Sequence, residues 1–417
     1  MRATMLTLRE HTVRDIQFGA EPSLRNGLLT VVQEQIRPLA ADPLIRSLNL
    51  HIARPGESVR IIRLLDAVQP RAKGGEEGAV FPGFLAPPRA DGVGETHILT
   101  HCALVSVSVL PRAQEALIDM AGPGALVSPL AKDLLLVLEF APVEGAPWDQ
   151  YEAAIRLIML RVAAHLGEIA RSAPPDRTLH VPSASSASGL PRVGYIYNIQ
   201  AQGSFKDTFV YGRSAREILP TLITPGEILD GAVVSGNYGH PSLKNSTYAH
   251  LTNPVIRELL TRDGHDLAFG GIILKPEPTT LEGKELVAEY AANLASLLNW
   301  QGAVVTKEGG GNADTDLFLT AERCERRGVR TVLLMAELAG PDGRTPPLLG
   351  SPPEADALVS LGNYEEPVAL SPVERVIGGN SLRMTDAPVA GPLTIPTAAF
   401  VGSLSPVGLG SIKARAQ

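Results

Sequence analysis

Residues Gly302–Asp316 read GAVVTKEGGGNADTD. A short apolar run, Gly302–Val305, ends in a Thr-Lys-Glu step. Three glycines then turn the chain, and Asn312 or Asp314 can cap a helix running from about Ala313 to Arg327. The same unit recurs on either side. Apolar runs at Val193–Ile199, Gly231–Val234, Leu267–Leu274, Val329–Met335 and Ala357–Ser360 alternate with helical segments near Asn253–Arg262 and Thr280–Asn299. Nearly all-apolar strands separated by helices specify an α/β fold, with a doubly wound, mostly parallel sheet from Arg192 onward. Ligands of such sheets bind outside the carboxyl ends of the strands.

The chain ahead of that unit reads differently. Up to about Val143, short apolar runs (Leu28–Val32, Ser47–Ile52, Val59–Leu65, Ala103–Leu110, Leu134–Phe140) are separated by Gly/Pro turns, the pattern of a β-rich domain. One amphipathic helix follows, Trp148–Ala170, with Ile155, Ile158, Met159, Val162, Leu166 and Ile169 on a single core-facing stripe. Residues 172–190 are rich in Pro and Ser and lack periodicity, as a linker or a long surface loop would. The expected layout is a β-rich N-terminal domain with its helix (1–171), that linker, an α/β substrate domain (191–380), and a C-terminal tail (381–417) that is loose or adds one strand.

A chain of 417 residues, 44% hydrophobic, exceeds one ordinary core. Its net charge of −7 and lack of a long basic run argue against nucleic acid as a partner. Apolar runs such as Leu134–Leu138 are too short to span a membrane, and the N-terminus is charged where a signal peptide is apolar. Cys102 and Cys324 are too few and too far apart for a disulfide framework or a zinc motif. The expectation is a soluble, cytoplasmic protein. The glycines after Glu308 do not form a dinucleotide fingerprint, and no phosphate-binding GxxxxGK[ST] loop occurs.

Polar chemistry concentrates in Asp230–Pro254, DGAVVSGNYGHPSLKNSTYAHLTNP. The strand breaks at Ser235-Gly236-Asn237, and the loop beyond it carries hydroxyls, imidazoles and amides before Asn253 caps the next helix, with Pro254 at its first position. The candidate catalytic groups are Tyr238, His240, Ser242 and Glu308. Candidate substrate contacts are Asn237, Lys244, Thr247, Gly310, Asn312, Asp316, Glu337 and Arg54, whose guanidinium matches a carboxylate. Structural roles stand beside these: a helix cap for Asn312, a surface position for Lys244 or Glu337, an ion pair for Arg54 or Arg60. The triple glycine can also bring backbone N–H groups close to an anion. His240 and His250 with Glu308 or Asp316 offer metal-binding groups, but no metal-ligand spacing is recognisable and no metal is assigned.

Ten strings, in order over nearly the whole chain, carry a family resemblance: ARPGESVRI (53–61), FPG (81–83), IDMAGPGA (118–125), YEAA (151–154), DTFVYG (207–212), DGAVVSGN (230–237), KNSTY (244–248), NPVI (253–256), EGGGNADTDL (308–317) and LSPVERVIG (370–378). Together they resemble the substrate-binding proprotein of the protein B component of glycine, sarcosine and betaine reductases. The resemblance implies an oxidoreductase subunit of amino-acid metabolism. It would act on a small amine or amino-acid derivative by cleaving a C–N (or related C–heteroatom) bond in a multi-subunit complex. In that family the chain cuts itself in the loop after SGN, where a cysteine becomes a pyruvoyl group. Its ketone forms a Schiff base with the substrate amine, and a selenoprotein partner attacks the α-carbon.

This sequence departs from the family at that point. The residue after Asn237 is Tyr238, and no cysteine lies between Asp230 and Pro254. A phenol provides no β-leaving group for pyruvoyl formation, whereas Ser242, after Pro241, could in principle supply one. The expectation is therefore no cofactor, with a pyruvoyl from Ser242 as the alternative. The expected partners are a small amine or amino-acid substrate and a second component B-type subunit, in an oligomer. Two other functions stay open: an unprocessed paralogue with hydrolase or lyase chemistry through Tyr238, His240 and Glu308, or a non-catalytic binding or scaffold subunit.

Overall fold

The computed structural model describes residues 5–75, 79–88, 92–110, 115–201, 207–236, 241–344, 354–355, 357–410 and 413–414. Five strands from the second half, β1 (Arg192–Gln200), β2 (Ala268–Glu277), β3 (Gly302–Thr306), β4 (Arg330–Glu337) and β5 (Ala357–Asn363), pair in the order 2-1-3-4-5. All four pairings are parallel. Short antiparallel strands close the margins, Thr221–Ile223 beside β2 and Lys413–Ala414 beside β5. The helices are α1 (Pro254–Arg262), α2 (Leu281–Leu297) and α3 (Asn312–Glu325), each within about two residues of its expected ends.

The sheet is covered on both faces, which explains its apolar strands. On one face Ala291, Ala292 and Ala295 of α2 and Leu317, Ala321 and Cys324 of α3 pack on Ile196, Ile273, Val305 and Leu333. On the other, Ile256 and Leu259 of α1 meet Tyr195, Tyr197 and Leu274, joined by Leu6, Leu8, Ile98 and Val181 from the N-terminal half. Each fully buried aliphatic side chain contributes about 1.5–3 kcal/mol relative to exposure. The strand order reverses between β1 and β3, the position at which sheets of this kind form a crevice outside the strand carboxyl ends.

One expected sheet member lies elsewhere. The Gly231–Val234 run forms a strand at Val233–Ser235, but it pairs antiparallel with Thr208–Val210 in a separate three-stranded sheet. The chain leaving β1 folds back on this segment before reaching α1. Gly236 bounds it, since a Cβ there would lie 1.7 Å from the Asp207 carbonyl oxygen.

The first half is strand-rich. Ile45–Ala53, Leu134–Pro142, Cys102–Val107 and Leu64–Val68 form one four-stranded sheet. Tyr151, Ile155, Ile158, Met159, Val162 and Leu166 of the helix Trp148–Ala170 pack in a cluster with Leu65, Leu104 and Leu136. Gly167 sits inside this helix because Arg71 crosses it closely: a Cβ would lie 2.1 Å from the Arg71 carbonyl carbon.

Part of the Pro/Ser-rich stretch 172–190 is ordered as the strand Arg177–Pro182, antiparallel to Met5–Thr12. Late segments also return to the first half. Arg375–Ile377 runs parallel to Val59–Ile62, and Leu393, Ile395 and Phe400 pack on Ile62 and Leu117. Contacts between the halves seat the segment before α1. The Asp230 carboxylate pairs with Lys73 and accepts the Thr96 hydroxyl at 2.7 Å, and Arg71 donates to the Leu229 carbonyl.

Candidate functional site

At the crevice between β1 and β3, the fully buried Glu308 carboxylate is the centre of a hydrogen-bonded group. Its Oε2 accepts the Gln200 N–H at 2.8 Å and the Thr208 hydroxyl at 2.5 Å, with Lys244 Nζ at 3.5 Å. Its Oε1 accepts the Asn245 N–H at 3.0 Å and lies 3.7 Å from His250 Nε2. Lys244 Nζ also donates to Thr208 Oγ1 at 2.6 Å, so the threonine hydroxyl bridges the ion pair. Burial alone would raise the Glu308 pKa. Lys244, His250, the Gln200 N–H and the Thr208 hydroxyl outweigh it and hold the carboxyl below its usual range.

Aromatic hydroxyls line the same side. Tyr197 O–H lies 2.7 Å from His250 Nδ1 and accepts the Asn245 side-chain N–H at 2.8 Å. This network assigns the phenolic proton to Nδ1 and the imidazole proton to Nε2, on the Glu308 side. Burial drives the His250 pKa down to about 4 and the Tyr197 phenol well up, so both are neutral at physiological pH. Short local elements hold these groups. Ser246 caps the helix Thr247–Leu251 by accepting the Ala249 N–H, and Asn253 caps α1 through the Ile256 N–H.

A second buried polar group lies on the α2/α3 face of the same strand ends. Asp316 of α3 pairs with Lys275 of β2 at 3.1 Å and with Lys284 of α2. Burial lowers the Lys275 pKa against the pull of Asp316. Burial, with Asp316 nearby, pushes the Glu277 carboxyl well up, and Glu277 accepts the Glu308 N–H at 3.1 Å. Lys307 pairs with Asp314 at 2.6 Å.

The expected site residues fall into several groups. Glu308 and Lys244 pair at the centre of the assembly, Gly310 lies against Leu243, next in sequence to Ser242, and Asp316 belongs to the second group on the α2/α3 face. Asn237, Tyr238 and His240 lie outside the described residues. Ser242 is fully buried, and its Oγ has no partner among the described residues. Thr247 is taken up by Asp66 of the first half. Asn312 is exposed at the start of α3, where Gly311 rather than Asn312 or Asp314 occupies the cap position. Glu337, at the end of β4, accepts the Ser360 hydroxyl. Arg54 is not part of this assembly: its guanidinium binds Asp15 at 2.7 Å, Glu57 at 3.2 Å and the Ile16 carbonyl. Arg60 is likewise held by Asp119.

Tyr197, Asn198, Gln200, Thr208 and Lys284 were not singled out from the sequence. The signal for the first three was present: YNIQ puts amides and a phenol on a strand that is otherwise apolar on both faces. Asn198 is fully buried with neither side-chain polar atom partnered among the described residues, and the buried Gln200 Oε1 is also unpartnered.

The chain does not fit a cysteine-derived pyruvoyl. Cys102 is buried in the N-terminal core and Cys324 in the α2/α3 core, both far in sequence from the 230–254 loop. Among the described residues, no group of three or more His, Cys, Asp or Glu side chains is arranged to hold a metal ion, and no helix is long and apolar enough to cross a membrane.

Known proteins share this arrangement of sequence. Residues 4–394 match the family described as glycine/sarcosine/betaine reductase component B subunits. The chain is 36% identical over 419 residues to the glycine reductase complex component B subunits alpha and beta of Acetoanaerobium sticklandii, covering 97% of each. It is 36% identical over 380 residues to the sarcosine reductase complex component B subunit alpha of Peptoclostridium acidaminophilum (89% of each). It is 31% identical over 387 residues to the betaine reductase complex component B subunit alpha of the same organism (89% of this chain, 87% of the relative). No solved structure matches the chain. With a match over nearly its whole length, this chain belongs to the glycine/sarcosine/betaine reductase component B subunits.

Proposed function

We propose that this subunit binds a small amine or amino-acid derivative in the crevice between β1 and β3 and presents it, with a partner subunit, for cleavage of a C–N or related C–heteroatom bond. It does so without cutting itself to make a pyruvoyl group. The observation that carries the reading is the assembly around Glu308. An ionised carboxylate, Lys244, a neutral His250 and a set of unpartnered buried amides meet where the strand order reverses, the place at which such sheets bind ligands. Lys244 is engaged by Glu308 and Thr208, which argues against its serving as a free amine nucleophile. The relatives' names supply the substrate class: amines bearing a carboxymethyl group.

Intact mass of freshly purified protein, alone and co-expressed with a neighbouring subunit, tests the unprocessed state. One mass for the whole chain is expected. Two fragments meeting at Pro241/Ser242, with borohydride sensitivity, would restore pyruvoyl chemistry. Calorimetry with glycine, sarcosine and betaine tests the crevice. Binding that is lost in Glu308→Gln but kept in Arg54→Gln supports it, and the absence of binding by all three rejects it.

A further inference from the structure

Helix α2 carries apolar residues on two faces. One packs on the sheet through Ala291, Ala292 and Ala295. The other points outward: Leu286 is 50%, Tyr290 46% and Leu297 78% exposed, and Asn293 between them is exposed too. These four residues are spaced four, three and four apart. That is the a/d spacing of a coiled-coil seam, which matches another helix. The row runs about 16 Å along α2 at a 1.5 Å rise per residue. Single apolar residues scattered over a surface need no partner, but a contiguous row marks an interaction face.

A second observation lies at the start of the seam. Gly283, Leu286 and Val287 of α2 line a hollow of about 550 Å³, with Leu219, Pro276 and Pro278 completing its apolar wall. In helix pairs of this kind a side chain from one helix enters a hole made by four residues of the other. Gly283, Leu286, Val287 and Tyr290 have the spacing of such a hole, and Gly283 deepens it by having no side chain. The matching knob is a large apolar residue on a facing helix. Leu297, the most exposed of the three apolar seam members, is one.

Charge selects the same occupant. The acids of α2, Glu282, Glu285 and Glu289, lie in its first half, and the only base in the helix, Lys284, is buried with Asp316. Bases flank the second half. Arg327, just past α3, binds Glu289 and donates to Asn293 Oδ1 at 3.0 Å, and Arg192 lies against Gln301 beyond the helix end. A parallel copy would set acid against acid. An antiparallel copy sets the acidic half of each helix against the basic flank of the other.

We infer that the outer face of α2 is a self-association surface, on which two copies of this chain pack α2 against α2 antiparallel across a two-fold axis. In that register Leu286 faces Leu297 of the second copy and Tyr290 faces its Asn293, and symmetry repeats both contacts. Leu297 of each copy fills the hollow beside Gly283 of the other. Asn293, with its Oδ1 held by Arg327, keeps its amide N–H for the Tyr290 phenol across the axis. The inference does not depend on what binds in the crevice between β1 and β3.

Light scattering of the full chain at micromolar concentration tests the association, with twice the 44.1 kDa of one chain expected. Leu286→Glu and Leu297→Glu each put two charges into the symmetric seam and are expected to weaken the dimer at least about a hundredfold, giving the single-chain mass. Leu126→Glu, at an 80% exposed leucine of the first half, is expected to leave the mass doubled. A short bis-maleimide reads the register. The double variant Leu286→Cys/Leu297→Cys is expected to link two chains, and neither single variant is. Cys102 and Cys324 are buried and inert to the reagent. A single-chain mass for the wild type at every concentration overturns the inference, as does a dimer that both glutamate variants leave intact. Linking in Leu286→Cys alone means a parallel pair and overturns it too. If the wild type is single by itself and Leu297→Glu abolishes co-purification with a neighbouring subunit, the face belongs to that subunit and the inference fails. Should a glutamate variant not fold, the linking series decides.

Discussion

Asp66, on the strand Leu64–Val68 of the first half, binds Thr247, at the start of the helix that carries His250. The Thr247 N–H donates to Asp66 Oδ1 at 2.9 Å and its hydroxyl to Oδ2 at 2.6 Å. One carboxylate thus anchors the crevice helix to the N-terminal sheet. Burial pushes the Asp66 pKa from 3.8 up to about 6, against the donors that favour its ionised form.

A folded-state value above the unfolded one means that folding favours protonated Asp66. Its contribution is fully present below about pH 4 and is lost as the pH rises through 6, a change of about 3 kcal/mol. In Asp66→Asn this dependence disappears. Urea unfolding at pH 4 and pH 7 is expected to show the asparagine variant gaining on the wild type at the higher pH. A constant difference between the two proteins would contradict this account of Asp66.

His250 works in the opposite sense over an overlapping range. Burial lowers its pKa from 6.5 to about 4, so its contribution is present above pH 6.5 and is lost as the pH falls through 4. The size is again about 3 kcal/mol. Between pH 4 and 6 the two groups oppose each other, and the wild-type profile conceals both. An imidazole carbon resonance of His250 followed from pH 8 to 5 is expected to stay in its neutral position. A midpoint near 6.5 would show that the ring is not sealed against Tyr197 and Glu308.

The Lys275–Asp316–Lys284 group is a packing device with a definite energetic signature. Asp316→Asn leaves two buried ammonium groups without their carboxylate, and breaking such a pair costs about 3–5 kcal/mol. Replacing all three residues by apolar ones of similar volume is expected to recover most of that loss. Thermal unfolding of the single and triple variants makes the comparison. If the single variant melts within a degree or two of wild type, the carboxylate is not what balances the lysines.

The elements were legible where a local period sets them. The stripe of Ile155, Met159, Val162 and Leu166 specified its helix to the residue, and apolar runs located all five parallel strands. Pairing was less visible. Gly231–Val234 has the same apolar character as β3, yet only the fold-back of Thr208–Val210 decides which strand it joins. Within the site, Glu308 and Lys244 stood out as charges beside strand ends. Thr208 and Gln200 did not, because a hydroxyl and an amide inside strand-like runs take their role from residues about a hundred positions away. Arg54 shows the converse: a charge in a matched string whose partners, Asp15 and Glu57, are local and structural.

Thr208 offers the most direct check on the Glu308 assembly. Its Oγ1 donates to Glu308 and accepts from Lys244, and the two charged groups are otherwise 3.5 Å apart. Thr208→Val keeps the shape and removes the bridge, leaving a buried cation and anion each short of one hydrogen bond. The expected loss of stability is about 1–3 kcal/mol. Thr208→Ser restores the hydroxyl and is expected to recover most of it, since only a methyl is then missing. Ligand affinity should follow the same order, with serine near wild type and valine weaker, because the hydroxyl helps hold the carboxylate that orders Gln200 and Asn245. If valine and serine are equally destabilised, the threonine acts through its methyl packing, and the hydroxyl bridge contributes nothing to the site.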